Sequence, residues 1–284
     1  MDNNFDCIIN NTDNSKDNGQ GDEMKILLLG GTKDSTNIIE FIKSRYDAYI
    51  LTTTTTEYGA KLAMQGGSDD TIARPLPKDE IINIINENDF DILIDATHPF
   101  AKHITQTSAS IAKELKMPYV RFERPITDLK NIDTSHIHYV ESFDDAGKLI
   151  AESFDEGNVL HFAGANTMED ILKYVSPERF YPRILKVESS LEKCEKLNIN
   201  PDHIIPMKGA ASLKENIDLI ERYDASAMIT KESGEIGGVI EKIQAANETD
   251  IAVIMIQRPK IDELNKNDVV SNLDELDIKL KNFF

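Results

Sequence analysis

The chain has 284 residues, enough for about two domains, each with its own buried core. Its 40% hydrophobic and 29% charged fractions are ordinary for a globular protein, and no apolar run approaches the ~18–20 residues of a membrane span. Fifty acidic against 31 basic side chains, a formal charge of -19, oppose binding to a nucleic-acid backbone, so any anionic ligand needs a local basic pocket.

Cys7 and Cys194 lie far apart and show no metal-ligand spacing, so no disulfide framework, zinc site or other metal site is predicted and a reducing cytoplasm fits best. Residues 1–23 are dominated by Asn and Asp and hold six acids against one base, Lys16, which predicts a solvated, disordered tail. The tail lacks the basic start and apolar stretch of a signal peptide, and Met24 is an alternative start.

From Lys25 the chain alternates strands and helices. The apolar run Ile26–Leu29 leads into the glycine turn Gly30-Gly31-Thr32, then Ile38, Ile39, Phe41 and Ile42 recur at helical spacing. The rhythm continues through a strand near Tyr49–Leu51, a helix around Ile81–Ile85, a strand Ile92–Ile94, a helix through Ile104, Ala112 and Leu115, and a strand Tyr119–Phe122. The polar stretch Thr127–Ser135 reads as a linker. Beyond it strands are predicted near Ile137–Val140, Val159–Phe162, Tyr181–Leu185, Ile204–Met207, Ala227–Thr230 and Ala252–Ile256, and residues 261–284 form a peripheral C-terminal element. Strands apolar on both faces belong to parallel sheets covered by helices. The predicted fold is therefore α/β, two doubly wound Rossmann-like parallel-sheet domains at 24–130 and 131–284 with the site in the cleft between them.

Ligands of such sheets bind beyond the carboxyl ends of strands, where four loops carry unusual residues. Gly30–Thr36 opens a helix and suits a phosphate, or is a tight turn with Asp34 or Ser35 as helix N-cap. Thr52–Thr56 lacks the acid that an NAD-type protein places on the ribose, which suits a 2′-phosphate, or is a β-prone strand end. Asp95-Ala96-Thr97-His98-Pro99-Phe100 combines imidazole, hydroxyl and carboxylate for proton transfer, or uses Asp95 or Thr97 to cap the next helix. Thr230–Gly238 offers lysine, hydroxyl and glycines as an anion cradle, or is a solvated βα loop. Arg121, Arg124, Arg183, Lys208 and Arg258 also fall near strand ends.

In combination, ILLLGGT (Ile26–Thr32), TTEYGA (Thr55–Ala60), DATHPFA (Asp95–Ala101), RFERP (Arg121–Pro125), ITKESG (Ile229–Gly234) and IQRP (Ile256–Pro259) resemble, in order, the precorrin-6A reductase family of cobalamin biosynthesis. The resemblance departs at Asp34, where the family usually has Glu, at Gly209-Ala210-Ala211, and at Ala73–Leu76. It implies reduction of a double bond of precorrin-6A or its cobalt complex to (cobalt-)precorrin-6B, with hydride from NADPH or NADH to C19 and a proton to C18, and a tetrapyrrole as the partner. It implies that Gly30, Gly31, Thr32, Asp34, Ser35, Thr53, Thr54, Thr55, Thr56, Tyr58 and Gly59 bind the cofactor, and that Asp95, Thr97 and His98 serve catalysis. Pro99, Phe100, Arg121, Arg124, Lys208, Lys231, Ser233 and Gly234 would then meet substrate. One rival, a generic NADP-dependent reductase of the short-chain kind, needs a Tyr-x-x-x-Lys pair, and none of the eight tyrosines provides it. The other is a non-enzymatic dinucleotide-binding sensor.

Overall fold

The structure, a computed structural model, describes residues 23–207 and 209–283. The predicted tail, apart from Glu23, and Lys208 lie outside the described residues.

Strands β1 (Met24–Leu29), β2 (Ala48–Thr54), β3 (Asp70–Ala73), β4 (Ile92–Asp95) and β5 (Tyr119–Phe122) alternate with helices α1 (Lys33–Arg45), α2 (Glu57–Gln65), α3 (Lys78–Asn88) and α4 (Lys102–Leu115). The central β1 and β4 are buried on both faces, as a strand between helical layers must be. After a connection from 123 to 136 come β6 (Ile137–Val140), α5 (Phe143–Ser153), β7 (Asn158–His161), α6 (Met168–Leu172), β8 (Phe180–Ile184), α7 (Glu188–Lys196) and β9 (Ile205–Pro206). The chain continues through α8 (Leu213–Arg222), β10 (Ala225–Lys231), α9 (Val239–Thr249) and β11 (Ala252–Ile256), and ends with β12 (Val269–Val270) and α10 (Leu273–Phe283).

All strand pairings are parallel, and they form two six-stranded sheets, ordered β12-β5-β4-β1-β2-β3 and β6-β11-β10-β7-β8-β9. The strand order reverses between β1 and β4 in the first sheet and between β7 and β10 in the second, and crevices open at such points beyond the carboxyl ends.

The end of the chain corrects the expected division. Residues 269–283 do not close the second domain as predicted: β12 pairs with β5, Val269 beside Arg121 and Val270 beside Phe122. Leu276 and Leu280 are buried with Ile26, Ile38, Ile39 and Ile42 of the first domain. A two-residue strand and an i, i+4 pair of leucines carry no signal for which sheet they cover. Leu276→Ala is expected to cost about 2–5 kcal/mol, as a cavity in a packed core does, seen as a lower urea midpoint for unfolding. A change below about 0.5 kcal/mol, the scale of a surface substitution, would mean that α10 does not pack there.

Candidate active site

The glycine turn follows from β1 pairing with β2. Gly30 N–H donates to Thr53 O at 2.8 Å, and Gly31 turns the chain at φ 96°, a conformation open to glycine at no steric cost. Thr32, not Asp34 or Ser35, is the N-cap of α1: its hydroxyl accepts Ser35 N–H at 3.1 Å and donates to Ala96 O at 2.9 Å, tying this loop to the one after β4. Ser35 is buried, and its Oγ accepts the N–H groups of Gly31 and Thr32 at 3.1 Å each. It shapes the turn from inside rather than facing a ligand. Gly59, near the start of α2, packs on the turn so closely that a Cβ there would lie 3.4 Å from Gly31 Cα. A Cβ on Gly31, in contrast, would meet nothing nearer than Thr54 Cβ at 3.8 Å, so the space over the turn is open.

The threonine run divides. Thr53 and Thr54 are buried, with Thr54 Oγ1 donating to Thr56 O at 2.8 Å, and Thr56 is the N-cap of α2, accepting Gly59 N–H. Thr55, Thr56 and Tyr58 are exposed at the rim. A phosphate-bearing nucleotide fits this place: an open glycine turn, the N-terminus of α1 and a hydroxyl-lined rim without a carboxylate on β2.

At the end of β4, Asp95 is 0% exposed and its carboxylate is fully engaged. Oδ1 accepts Thr97 N–H at 3.0 Å, Thr97 Oγ1 at 2.6 Å and Arg121 Nη1 at 2.8 Å, and Oδ2 receives Tyr119 Oη at 3.3 Å and Ser108 Oγ at 3.4 Å. Arg121, also 0% exposed, donates through Nη1 to Thr97 Oγ1 at 3.1 Å as well. These three residues brace the loop. Neither Asp95 nor Thr97 caps α4, whose N-cap position is Ala101. His98 Nδ1 accepts Phe100 N–H at 3.2 Å, which leaves the proton of the neutral ring on Nε2. Burial, and then the charges of Lys231, Arg124, Arg121 and Arg258, push His98 down to about 3. Pro99 is buried behind it.

The second domain meets this loop directly. Lys231, the last residue of β10, places Nζ 5.3 Å from the centre of the Phe100 ring, and burial pushes its ammonium down to about 8. Beside it, buried Glu232 accepts Thr127 N–H at 3.1 Å, Thr127 Oγ1 at 3.0 Å and Gly234 N–H at 3.2 Å, and pairs with Arg258. Arg258 also donates to Arg124 O at 2.6 Å and Pro125 O at 3.0 Å. Arg124 pairs with Asp34 at 3.0 Å, while its stem packs so tightly on Gly234 that a Cβ there would lie 2.8 Å from Arg124 Cδ. Burial lifts the Asp34 carboxyl above its ordinary value despite the facing guanidinium. Ser233 is buried under Gly237.

The fold thus gathers the glycine turn, the loop of His98 and the loop of Lys231 at one cleft. It turns Asp34 and Arg124 onto each other, however, and seals Asp95 and Arg121 in the interior, with half-buried Thr97 bound to both. Sequence reasoning gave no weight to Glu232 and too little to Arg258, although they fall inside the ITKESG and IQRP motifs; their pairing joins residues 26 positions apart.

Comparison with known proteins gives the family and the fold. The model of the precorrin-6x reductase family (CbiJ/CobK) matches residues 25–278. A cobalt-precorrin-6A reductase of Methanothermobacter thermautotrophicus is 38% identical over 258 residues, covering 90% of this chain and 83% of the relative. Another, of Methanocaldococcus jannaschii, is 38% identical over 84% of this chain and 92% of the relative. A solved CobK precorrin-6A reductase shares the fold with a TM-score of 0.71 at 16% identity, over 92% of this chain and 97% of that one. With a shared fold, close relatives and a family model that spans nearly all the described residues, the chain belongs to the precorrin-6x reductase family.

Proposed function

We propose that the protein reduces cobalt-precorrin-6A to cobalt-precorrin-6B at the expense of NADPH or NADH. The observation that carries this is the meeting of an open glycine turn with the Lys231–Phe100 contact, at strand ends of two different sheets. The cobalt form of the substrate is favoured because both archaeal relatives at 38% identity carry that name.

Gly30, Gly31 and Thr32 would hold the nucleotide phosphates, with Thr55, Thr56 and Tyr58 along the rim. A reduced nicotinamide bound there supplies a hydride, which the reaction adds to C19 of the macrocycle. Saturating the double bond then requires one proton at C18. Lys231 carries a proton at Nζ at neutral pH and is acidic enough to release it, because burial has brought it to about 8. His98, neutral down to about 3, is a poor acid, and its Nε2–H and ring position the macrocycle. Phe100 supplies a flat apolar surface, and the brace of buried Asp95 and Arg121 with half-buried Thr97 holds its loop in place.

Purified protein incubated with cobalt-precorrin-6A and each nicotinamide should oxidise the nucleotide and yield a product heavier by two hydrogens. Nucleotide binding without oxidation would overturn the reductase reading and support a sensor. Gly31→Ala should raise the Kd for the nicotinamide nucleotide about tenfold or more, since the new methyl enters the open space and the positive φ strains the turn by about 1–3 kcal/mol. Titration of the variant decides it; unchanged affinity would move the nucleotide elsewhere.

A further inference from the structure

Arg183, on β8, lies half-buried with its guanidinium 4.2 Å above the centre of the Phe162 ring, and Nη1 reaches Met207 Sδ at 3.5 Å. Neither contact satisfies a charge. Lys242, on α9, is 3% exposed, and its Nζ has only neutral partners, Thr230 Oγ1 at 3.1 Å and Gly237 O at 2.8 Å. Among the described residues no carboxylate oxygen lies within 4.0 Å of Arg183, Lys231 or Lys242. Glu215, whose field reaches Arg183, has its Oε2 engaged by Ser212 through N–H and hydroxyl at 2.8 Å each. In a chain with 50 acidic side chains, Arg183 stands out as a half-buried guanidinium without an ion-pair partner among the described residues. A buried or half-buried charge without a counter-ion is costly to keep, and an anionic ligand removes that cost.

Three structural facts say which anion fits. Arg183 lies next to the carboxyl end of β8 in the second sheet, on the face of Phe162, and Lys231 ends β10 on the opposite face, beside Phe100. β7 separates β8 from β10, so Arg183 stands about 10 Å from the strand of Lys231, a distance set by strand spacing. The guanidinium, held 4.2 Å from the centre of the Phe162 ring, is a planar fork of donors suited to a carboxylate.

We propose that Arg183 anchors a peripheral carboxylate of the macrocyclic substrate at the carboxyl edge of β8, two strands from Lys231 on β10, and so sets which way round the ring enters the cleft. Lys242 positions the loop that follows Lys231 by holding Thr230 and Gly237. This rests on the reading of the protein as a cobalt-precorrin-6A reductase.

The test is steady-state kinetics and equilibrium binding of cobalt-precorrin-6A with Arg183→Met, which keeps the apolar stem over Phe162, and with Arg183→Lys. Arg183→Met should raise KM and Kd for cobalt-precorrin-6A about 10- to 100-fold, the scale of a lost charge-assisted fork, with kcat at saturation and the KM for NADPH and NADH nearly unchanged. Arg183→Lys should recover part of the affinity. If Arg183→Met loses the wild-type melting transition, Arg183→Lys carries the test alone, with KM for the macrocycle rising while kcat holds. Unchanged KM for the macrocycle in a folded variant overturns the proposal. A rise confined to the KM for NADPH would place the 2′-phosphate there instead and overturn it too. A wild-type protein that neither binds nor reduces cobalt-precorrin-6A overturns the functional reading itself, a result distinct from either.

Discussion

Lys231→Met is expected to lower kcat by about 10²–10⁴-fold, the range of general acid catalysis, while leaving nicotinamide affinity close to that of the wild type. In the proposed reaction hydride addition needs only alignment from the protein, and the proton at C18 would come from a donor at the face where Phe100 and Lys231 meet. A donor works in its protonated form, and burial lowers Lys231 to about 8, so kcat/KM of the wild type should be flat near neutrality and fall as pH rises through about 8. Binding a polycarboxylate beside the ammonium stabilises its charged form, so the same limb in kcat should lie at higher pH. Lys231→Arg keeps the charge but holds its proton too tightly to release it, and should fail almost as badly as the methionine variant. His98→Ala, by contrast, should slow turnover by less than about 10²-fold without moving the alkaline limb, because a ring neutral down to about 3 contributes position rather than a proton. An intact limb and near-normal kcat in Lys231→Met would remove Lys231 from proton transfer.

The locations of the loops were legible in the sequence; the duties of the residues within them were not. Apolar runs such as Ile26–Leu29 and Ile92–Ile94 announce strands buried on both faces, and the residues next in the chain lie at a strand end. Gly30-Gly31-Thr32 and the loop from Asp95 to Phe100 are therefore found where expected. Inside each loop, though, the duty of a side chain depends on partners remote in sequence. Ser35 looks like a ligand contact until its hydroxyl is seen to take the N–H groups of the turn. Asp34 sits in the first turn of α1, yet it faces Arg124, 90 positions on, just after β5 of the same sheet. The return of β12 to the first sheet is hidden for the same reason: two valines pair with β5 through backbone groups that every residue possesses. The sequence marks Lys231 as an anion-cradle and substrate residue but not as an acid, since its lowered proton affinity comes from burial that no local pattern records.

Arg121→Met is expected to destabilise the protein by about 3–5 kcal/mol, the usual cost of removing one member of a buried ion pair. Asp95 and Arg121 are both 0% exposed and stand 2.8 Å apart, so the variant leaves a carboxylate in the interior with only neutral donors, Thr97, Tyr119 and Ser108. Asp95→Asn should cost less. Its side-chain oxygen still accepts the Thr97 N–H, and Arg121 retains Glu123 at 3.5 Å as a partner for Nε. The double variant, carrying both changes, should be more stable than the sum of the two single losses, because no unpaired ion is left; urea unfolding of the four proteins measures that coupling directly. The same set separates a brace from a catalytic carboxylate. If Asp95 served proton transfer, Asp95→Asn would lose about 10²-fold or more in kcat with its melting temperature intact. The sealed geometry leads to the opposite result: stability falls, while kcat of the protein that remains folded, measured well below its melting temperature, changes by less than about tenfold. Equal stability in all four proteins would show that the pair does not hold the loop, and the placement of His98 and Phe100 would then need another support.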